Sequence, residues 1–347
     1  MPLFLKSVGI DGILPLPITT TELKGGDNMH KGVFLDLASL AEADLDLAEL
    51  RAVLPQWQMH AATAPEQRAE RIADADVLVV NKVVLDEPLL RAASKLKLIC
   101  ITATGTNNID LHTAAELGIV VSNVTAYATD SVAQHVMAVM LAHHTRLLDY
   151  HAAVKRGDWS RSPQFCLLDY PVRELRDMTL GIVGYGELGH GVEKLARAFG
   201  MHILLAQRPG GEARAGRVPL DELLQRADVV TLHVPLAENT RNLIDARALS
   251  LMQPHALLIN TARGPVVDNR ALADALRQGV IGGAALDVLD VEPPPLDHPL
   301  LADDIPNLIL TPHTAWAGRQ ARQNVVDQTV ANIQAWQRGA PRNQVMA

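Results

Sequence analysis

Cysteine is almost missing from this chain: Cys100 and Cys166 are the only two in 347 residues. Two are too few for a disulfide framework, and their separation fits no metal-type spacing. A reducing compartment, the cytoplasm, is therefore expected. Long apolar runs are missing too. None reaches the roughly 18 residues that a bilayer span requires, so no membrane association is expected. Positive charge is in deficit. Lys and Arg number 31 against 39 Asp and Glu, for a net charge of −8. That balance leaves no basic footprint for nucleic acid. No short tandem repeat of solenoid length recurs. What is present is an ordinary globular composition, 48% hydrophobic and 20% charged. The chain is long for one core, so two domains are expected.

Residues 1–28 read differently from the rest. Lys6 precedes a short apolar stretch, and Pro15, Pro17, a Thr-rich run and Gly25-Gly26 follow. A secretory signal would need a basic start, a longer apolar core and a small-residue cleavage site. Asp11 and Gly12 interrupt the apolar stretch instead. The expectation is a disordered extension, with Met29 as the natural start.

From Lys31 onward, strand and helix patterns alternate. Strands are predicted over 32–36, 76–80 and 96–100, and short helices over 86–93 and 110–117. A helix over 45–54 ends at Pro55. A long helix is predicted over 128–156, free of proline and glycine and closed by Gly157. Its face of Val132, Val136, Val139, Met140 and Leu147 suits bridging two domains or packing in a dimer. His143 and His144 on it point to different faces and read as surface or interface residues, not as ligands. A second series of strands is predicted at 179–183, 202–206, 228–233, 256–260, 281–286 and 308–310, then a helix over 319–336. Such alternation means βαβ units and parallel sheets.

The most specific local motif is Gly184-Tyr185-Gly186-Glu187-Leu188-Gly189. It follows an apolar strand and opens a helical pattern, the context that a dinucleotide fingerprint requires. Glycine keeps the turn tight and lets the backbone approach a pyrophosphate, and the helix N-terminus offers free N–H groups to it. The residue that reads the ribose should end the next strand, about 20 positions later. Gln207 and Arg208 stand there, with no acid to repel a 2′-phosphate, so NAD and NADP are both expected to bind.

Three more residues form a chemical set. Arg263 follows one buried strand, Glu292 lies shortly after the next, and His313 follows the last. In parallel sheets such carboxyl ends gather on one edge. Arginine offers a planar fork to a carboxylate. Histidine can give a proton to a developing alkoxide near neutral pH, and a glutamate beside it favours the imidazolium. Each residue alone also suits a plain structural role, and spacing does not separate the two readings.

The matching stretches extend further. They are Ala-Thr-Gly-Thr-Asn-Asn-Ile-Asp at 103–110, Gly-Ile-Val-Gly-Tyr-Gly-Glu-Leu-Gly at 181–189, Asn-Thr-Ala-Arg-Gly at 260–264, Ala-Leu-Asp-Val at 285–288, Glu-Pro at 292–293 and Thr-Pro-His at 311–313. On these, the sequence from Met29 to the C-terminus resembles the D-isomer-specific 2-hydroxyacid dehydrogenase family. Asn81-Lys82-Val83, 124–131, 159–163, 165–171 and Thr314-Ala315-Trp316 are most similar to bacterial glycerate dehydrogenases, also called hydroxypyruvate reductases.

The resemblance implies two doubly wound α/β domains, a Rossmann-type cofactor domain over 125–311 inserted into a flavodoxin-like substrate domain built from 29–124 and 312–347. It implies that Arg263 binds the substrate carboxylate and carbonyl, and that His313 donates the proton with Glu292 as its partner. Lys82, Thr104 and Gly105 would contact substrate. Gly184, Gly186, Glu187, Leu188, Gly189, Gln207, Arg208, Val234, Pro235, Thr240, Thr261 and Ala262 would line the cofactor site, and Asp287 would hold the nicotinamide carboxamide. It implies a homodimer held through the long-helix region, a 2-keto acid substrate such as hydroxypyruvate or glyoxylate, and no metal. Another D-2-hydroxyacid or phosphite dehydrogenase, or a non-enzymatic NAD(H)-sensing protein, stays open as an alternative.

Overall fold

The structure is a computed structural model, and it describes residues 30–208, 210–212 and 214–346. The reading of residues 1–28 as an extension, with Met29 as the start, lies outside the described residues.

Among the described residues, eleven strands form two all-parallel sheets. The first contains β1 (Lys31–Phe34), β2 (Gln56–Met59), β3 (Val77–Val80), β4 (Leu98–Ile101) and β5 (Val120–Ser122), in the order β2-β1-β3-β4-β5. That is the flavodoxin-like order. β3 and β4 read Val-Leu-Val-Val and Leu-Ile-Cys-Ile and are buried at every position. Strands covered on both faces carry such unbroken apolar runs. β2, at the edge, alternates exposed and half-buried residues.

The second sheet contains β6 (Thr179–Val183), β7 (His202–Leu205), β8 (Val229–Leu232), β9 (Leu257–Asn260), β10 (Gly283–Leu286) and β11 (Leu308–Leu310), in the order β11-β10-β9-β8-β6-β7. Beyond β7, a one-residue parallel bridge joins Ala206 to Val218. It stands where the third strand of a Rossmann sheet runs, and with it the sheet has the dinucleotide-binding order.

Helices cover both faces of each sheet. The Thr129–His144 helix lays Val132, Ala133, Val136 and Met140 against Ile182, Val229 and Ile259 of the second sheet. The Arg319–Gln337 helix returns to the first sheet, packing Val325, Val326, Val330 and Ile333 against Phe34, Val77, Val79 and Leu98. Arg322 on that helix is buried but paired, bonding the Asp44 carboxylate through two nitrogens at 2.7 and 2.9 Å. The tail after it bridges antiparallel to β5 at Gln344, and Val345 N–H donates to the Val121 carbonyl at 2.9 Å.

Two expectations change. The helix expected over 128–156 is broken into Thr129–His144 and Leu147–Lys155. The Thr145 hydroxyl bonds back to the Leu141 carbonyl at 2.6 Å, and Arg146 turns left-handed at φ 55°. There its guanidinium reaches Asn307 at 2.9 Å and Asp149 at 2.8 Å. His144 is not a surface residue: it is 4% exposed and packed inside its own chain. Burial pushes both His143 and His144 down to about 4, so both are neutral at pH 7.

Candidate active site

β6 delivers the chain into the glycine turn at the switch point between β6 and β8. Gly184 has φ 95°, and a β-carbon there would collide with the His233 carbonyl. Gly186 has open space on its side-chain face, with nothing within 4 Å. It caps the Glu187–Ala198 helix, whose first N–H groups are turned to that space. Gly189 packs against the Gly184 carbonyl. A tight turn, an open approach and a close helix–strand contact are the three demands of a pyrophosphate cradle. Among the described residues, Thr261 Oγ1 and His233 Nδ1 are buried here without a hydrogen-bond partner, and both residues line the cleft. Burial pushes His233 down to about 4. Orphaned, uncharged polar atoms beside an anion cradle fit a bound dinucleotide. Gln207 N–H donates to the Val218 carbonyl at 2.8 Å, and Arg208 is exposed just beyond.

Strand ends from both sheets wall a cleft of about 520 Å³. β9 ends at Asn260, fully buried. Its side chain donates to the Arg263 carbonyl at 2.9 Å and accepts from Ala262 N–H at 2.9 Å, which fixes the turn. Arg263 uses Nη1 on the Ala262 carbonyl at 2.7 Å. It has no ion-pair partner among the described residues, so the rest of its fork is free. A β-carbon on Gly105 would stand 2.6 Å from Arg263 Nη2, so the loop backbone approaches the guanidinium closely.

His313 sits in a left-handed turn at φ 55°. Asp287, 2% exposed, builds that turn. Its oxygens accept from Thr311 Oγ1 at 2.6 Å, Thr314 N–H at 2.8 Å and Ala315 N–H at 2.8 Å. His313 N–H donates to the Asp287 carbonyl at 2.8 Å. The His313 ring meets Glu292 at 2.6 Å, Nδ1 to Oε2. Glu292 Oε1 accepts from Leu289 N–H at 3.0 Å. Burial works to raise the Glu292 carboxyl, but its hydrogen bond and Coulomb attraction to His313 outweigh that and hold it below the usual carboxylate range.

The cleft brings together Lys82, Thr104, Gly105, Gly186, Glu187, Leu188, Val234, Pro235, Thr261, Ala262, Arg263, Asp287 and His313. Glu292 stands behind His313. Thr240 is buried outside the lining and holds the loop through the Pro235 carbonyl at 2.7 Å. Gln207 and Arg208 lie past the end of β7, also outside the lining. Tyr127 and Trp316 wall the cleft as well. Both stood inside the quoted stretches, but an aromatic wall has no chemistry that spacing reveals.

The family described as D-isomer specific 2-hydroxyacid dehydrogenase, NAD binding domain, matches residues 137–315. A glycerate dehydrogenase of Methylorubrum extorquens is 42% identical over 317 residues, covering 91% of this chain and 99% of that one. The chain belongs to the D-isomer-specific 2-hydroxyacid dehydrogenase family. As such a dehydrogenase it is an oxidoreductase that acts on a CH–OH group and uses NAD(P). A hydroxypyruvate reductase of Blautia hydrogenotrophica is 35% identical, over 91% of this chain and 99% of its own. Among solved structures, the D-lactate dehydrogenase of Aquifex aeolicus, complexed with NAD and lactic acid, is 31% identical. It superposes with a TM-score of 0.74 over 89% of this dehydrogenase and 96% of that chain.

Proposed function

We propose that this dehydrogenase reduces hydroxypyruvate or glyoxylate, and oxidises the matching D-2-hydroxy acid. The observation that carries the reading is the free Arg263 fork facing the same cleft as a histidine already bonded to a carboxylate. Relatives named glycerate dehydrogenase, hydroxypyruvate reductase and glyoxylate reductase support the substrate class.

Bound nicotinamide supplies the hydride in reduction and takes it in oxidation. Gly186 and the start of the Glu187–Ala198 helix would hold its pyrophosphate, and Val234, Pro235, Thr261 and Ala262 would line its path. Arg263 binds the substrate carboxylate through two parallel N–H donors and orients the carbonyl. His313 has Nδ1 committed to Glu292, which leaves Nε2 for the substrate oxygen. In reduction His313 gives that oxygen a proton, and in oxidation it takes the proton back. The Glu292 charge stabilises the imidazolium throughout. Asp287 keeps His313 in place by tying down the 311–315 turn. Closure of the two sheets over the cleft excludes water.

The same reading takes residues 29–124 with 312–347 as the substrate domain and 125–311 as the cofactor domain. Packing of the Arg319–Gln337 helix on the first sheet supports it. It takes the enzyme as a homodimer, supported by Phe165 at 89% and Leu168 at 84% exposed beside the Leu147–Lys155 helix. It takes the cytoplasm as the location, supported by two free cysteines. No helix among the described residues is long and apolar enough to cross a membrane.

The test is steady-state turnover of purified protein with NADH and NADPH against hydroxypyruvate, glyoxylate and pyruvate. Turnover of the first two above pyruvate is expected. An enzyme inert toward all three would overturn the reading.

A further inference from the structure

The backbone at Lys82 is held by a clamp that the mechanism leaves unexplained. It sits in the loop after β3. The buried Asp36 carboxylate accepts from the N–H groups of Asn81 at 2.8 Å, Lys82 at 2.6 Å and Val83 at 3.2 Å. From the other side, the Asn108 amide donates to the Val83 carbonyl at 3.0 Å and the Asn81 carbonyl at 3.4 Å. Asn108 belongs to the loop whose Gly105 touches Arg263. One backbone segment therefore sets both cations relative to each other.

The Lys82 side chain lines the substrate cleft and reaches its water. Its ammonium has no hydrogen bond or ion pair among the described residues. Surrounding protein and the nearby Arg263 guanidinium depress its pKa, with Glu292 and Asp36 opposing. A water-accessible ammonium on a fixed loop, left unpaired and facing the cleft, offers its N–H donors to an acceptor on the ligand.

A 2-keto acid has few directions left for that acceptor. Arg263 takes the C1 carboxylate, His313 takes the C2 oxygen, and the cofactor takes one face of C2. The remaining bond, to C3, is the direction left for the acceptor of Lys82, which lines the same cleft from the first-sheet side. We propose that Lys82 is a specificity-determining residue that donates a hydrogen bond to an oxygen on C3 of the substrate, favouring 3-hydroxy-2-keto acids over those bare at C3. This rests on the functional reading above and deepens it. A buried hydrogen-bonding site rejects an analogue lacking its partner by about 10⁴–10⁵. Because cleft water reaches Lys82 and can replace the missing group, about 10²-fold is expected here.

The experiment compares kcat/KM of wild type, Lys82→Met and Lys82→Gln on hydroxypyruvate, 3-phosphohydroxypyruvate, pyruvate and glyoxylate. Cofactor binding, followed by nicotinamide fluorescence, reports that each variant is folded. Both variants should lower the ratio of hydroxypyruvate to pyruvate by about 10²-fold, with a correspondingly smaller loss on pyruvate and glyoxylate. A larger loss on the phosphate ester than on hydroxypyruvate would uphold the assignment and name phosphate as the C3 group. Equal loss on all four substrates would overturn it, since Lys82 would then act on the shared carboxylate. An unmoved ratio in folded variants would also overturn it. Wild-type protein inert toward every keto acid would instead sink the functional reading on which the assignment stands.

Discussion

Replacing Glu292 with Gln isolates charge from shape at the centre of the site. The amide fills the same volume and keeps a hydrogen bond to His313, but the carboxylate that faces Nδ1 at 2.6 Å is gone. The hydrogen bond and Coulomb attraction to His313 hold the Glu292 carboxyl down, and the amide loses the charged part of that interaction. A hydrogen bond to a charged group is worth about 1.5–3 kcal/mol net and a neutral one about 0.5–1.5 kcal/mol. The difference of about 1–2 kcal/mol must be discounted, because the two side chains remain 29% and 36% exposed and water screens them. About 1.4 kcal/mol is a factor of ten in an equilibrium constant, so a loss of up to about tenfold in the coupling follows. The sign is fixed by which protonation state works. Reduction needs protonated His313, so its alkaline limb should move to lower pH in Glu292→Gln. Oxidation needs the neutral ring, so its acidic limb should move the same way. The assay is a pH–rate profile of kcat/KM in both directions. Limbs that stay fixed, or that move to higher pH, would refute the pairing.

Four further outcomes are expected. His313→Ala should lower kcat by about 10²–10⁴-fold while cofactor affinity, read by fluorescence, holds; near-normal kcat would require another acid. Arg263→Ala should damage both KM and kcat, with kcat/KM down by about 10²-fold or more, as two charged hydrogen bonds are lost. Gln207→Asp should shift the NADPH-to-NADH preference toward NADH, and an unchanged ratio of kcat/KM would mean the ribose lies elsewhere. His143, His144 and His233 are each pushed by burial to about 4, below the 6.5 of an unfolded histidine. The unfolded chain therefore binds more protons between those values, so stability should fall as pH drops from 6.5 toward 4. Equal urea midpoints at pH 7.5 and 5.5 would contradict that.

The second sheet was legible because its strands are unbroken apolar runs and its first turn carries three glycines with separate steric reasons. The strand ends alone place Arg263 and His313 on one edge. The edges of the first sheet were not legible. β2 is four residues, Gln-Trp-Gln-Met, half polar and directly after Pro55, and its periodicity is too short to stand out. The break at Arg146 has no glycine or proline to mark it, because a side-chain bond from Thr145 and an ion pair make the left-handed turn. The clamp joins Asp36 and Asn108, far apart in the chain, and only the folded backbone shows that both hold the 81–83 segment. The resemblance implies a cofactor role for Asp287, and spacing gives no sign that its oxygens also hold the His313 turn.

The return of the Arg319–Gln337 helix to the first sheet has a consequence for synthesis. Phe34, Val77, Val79 and Leu98 leave the ribosome early, yet the helix that covers them begins 221 to 285 residues later. At about 5–20 residues per second, that gap lasts on the order of 10–60 s. Throughout it, the half-covered first sheet presents an apolar face while the second sheet can already close. Nascent chains ending near residue 318 should therefore bind holdase chaperones and aggregate when released, although every strand of both sheets is present. For each molecule the last helix sets the moment at which protection from the crowd of other nascent chains begins.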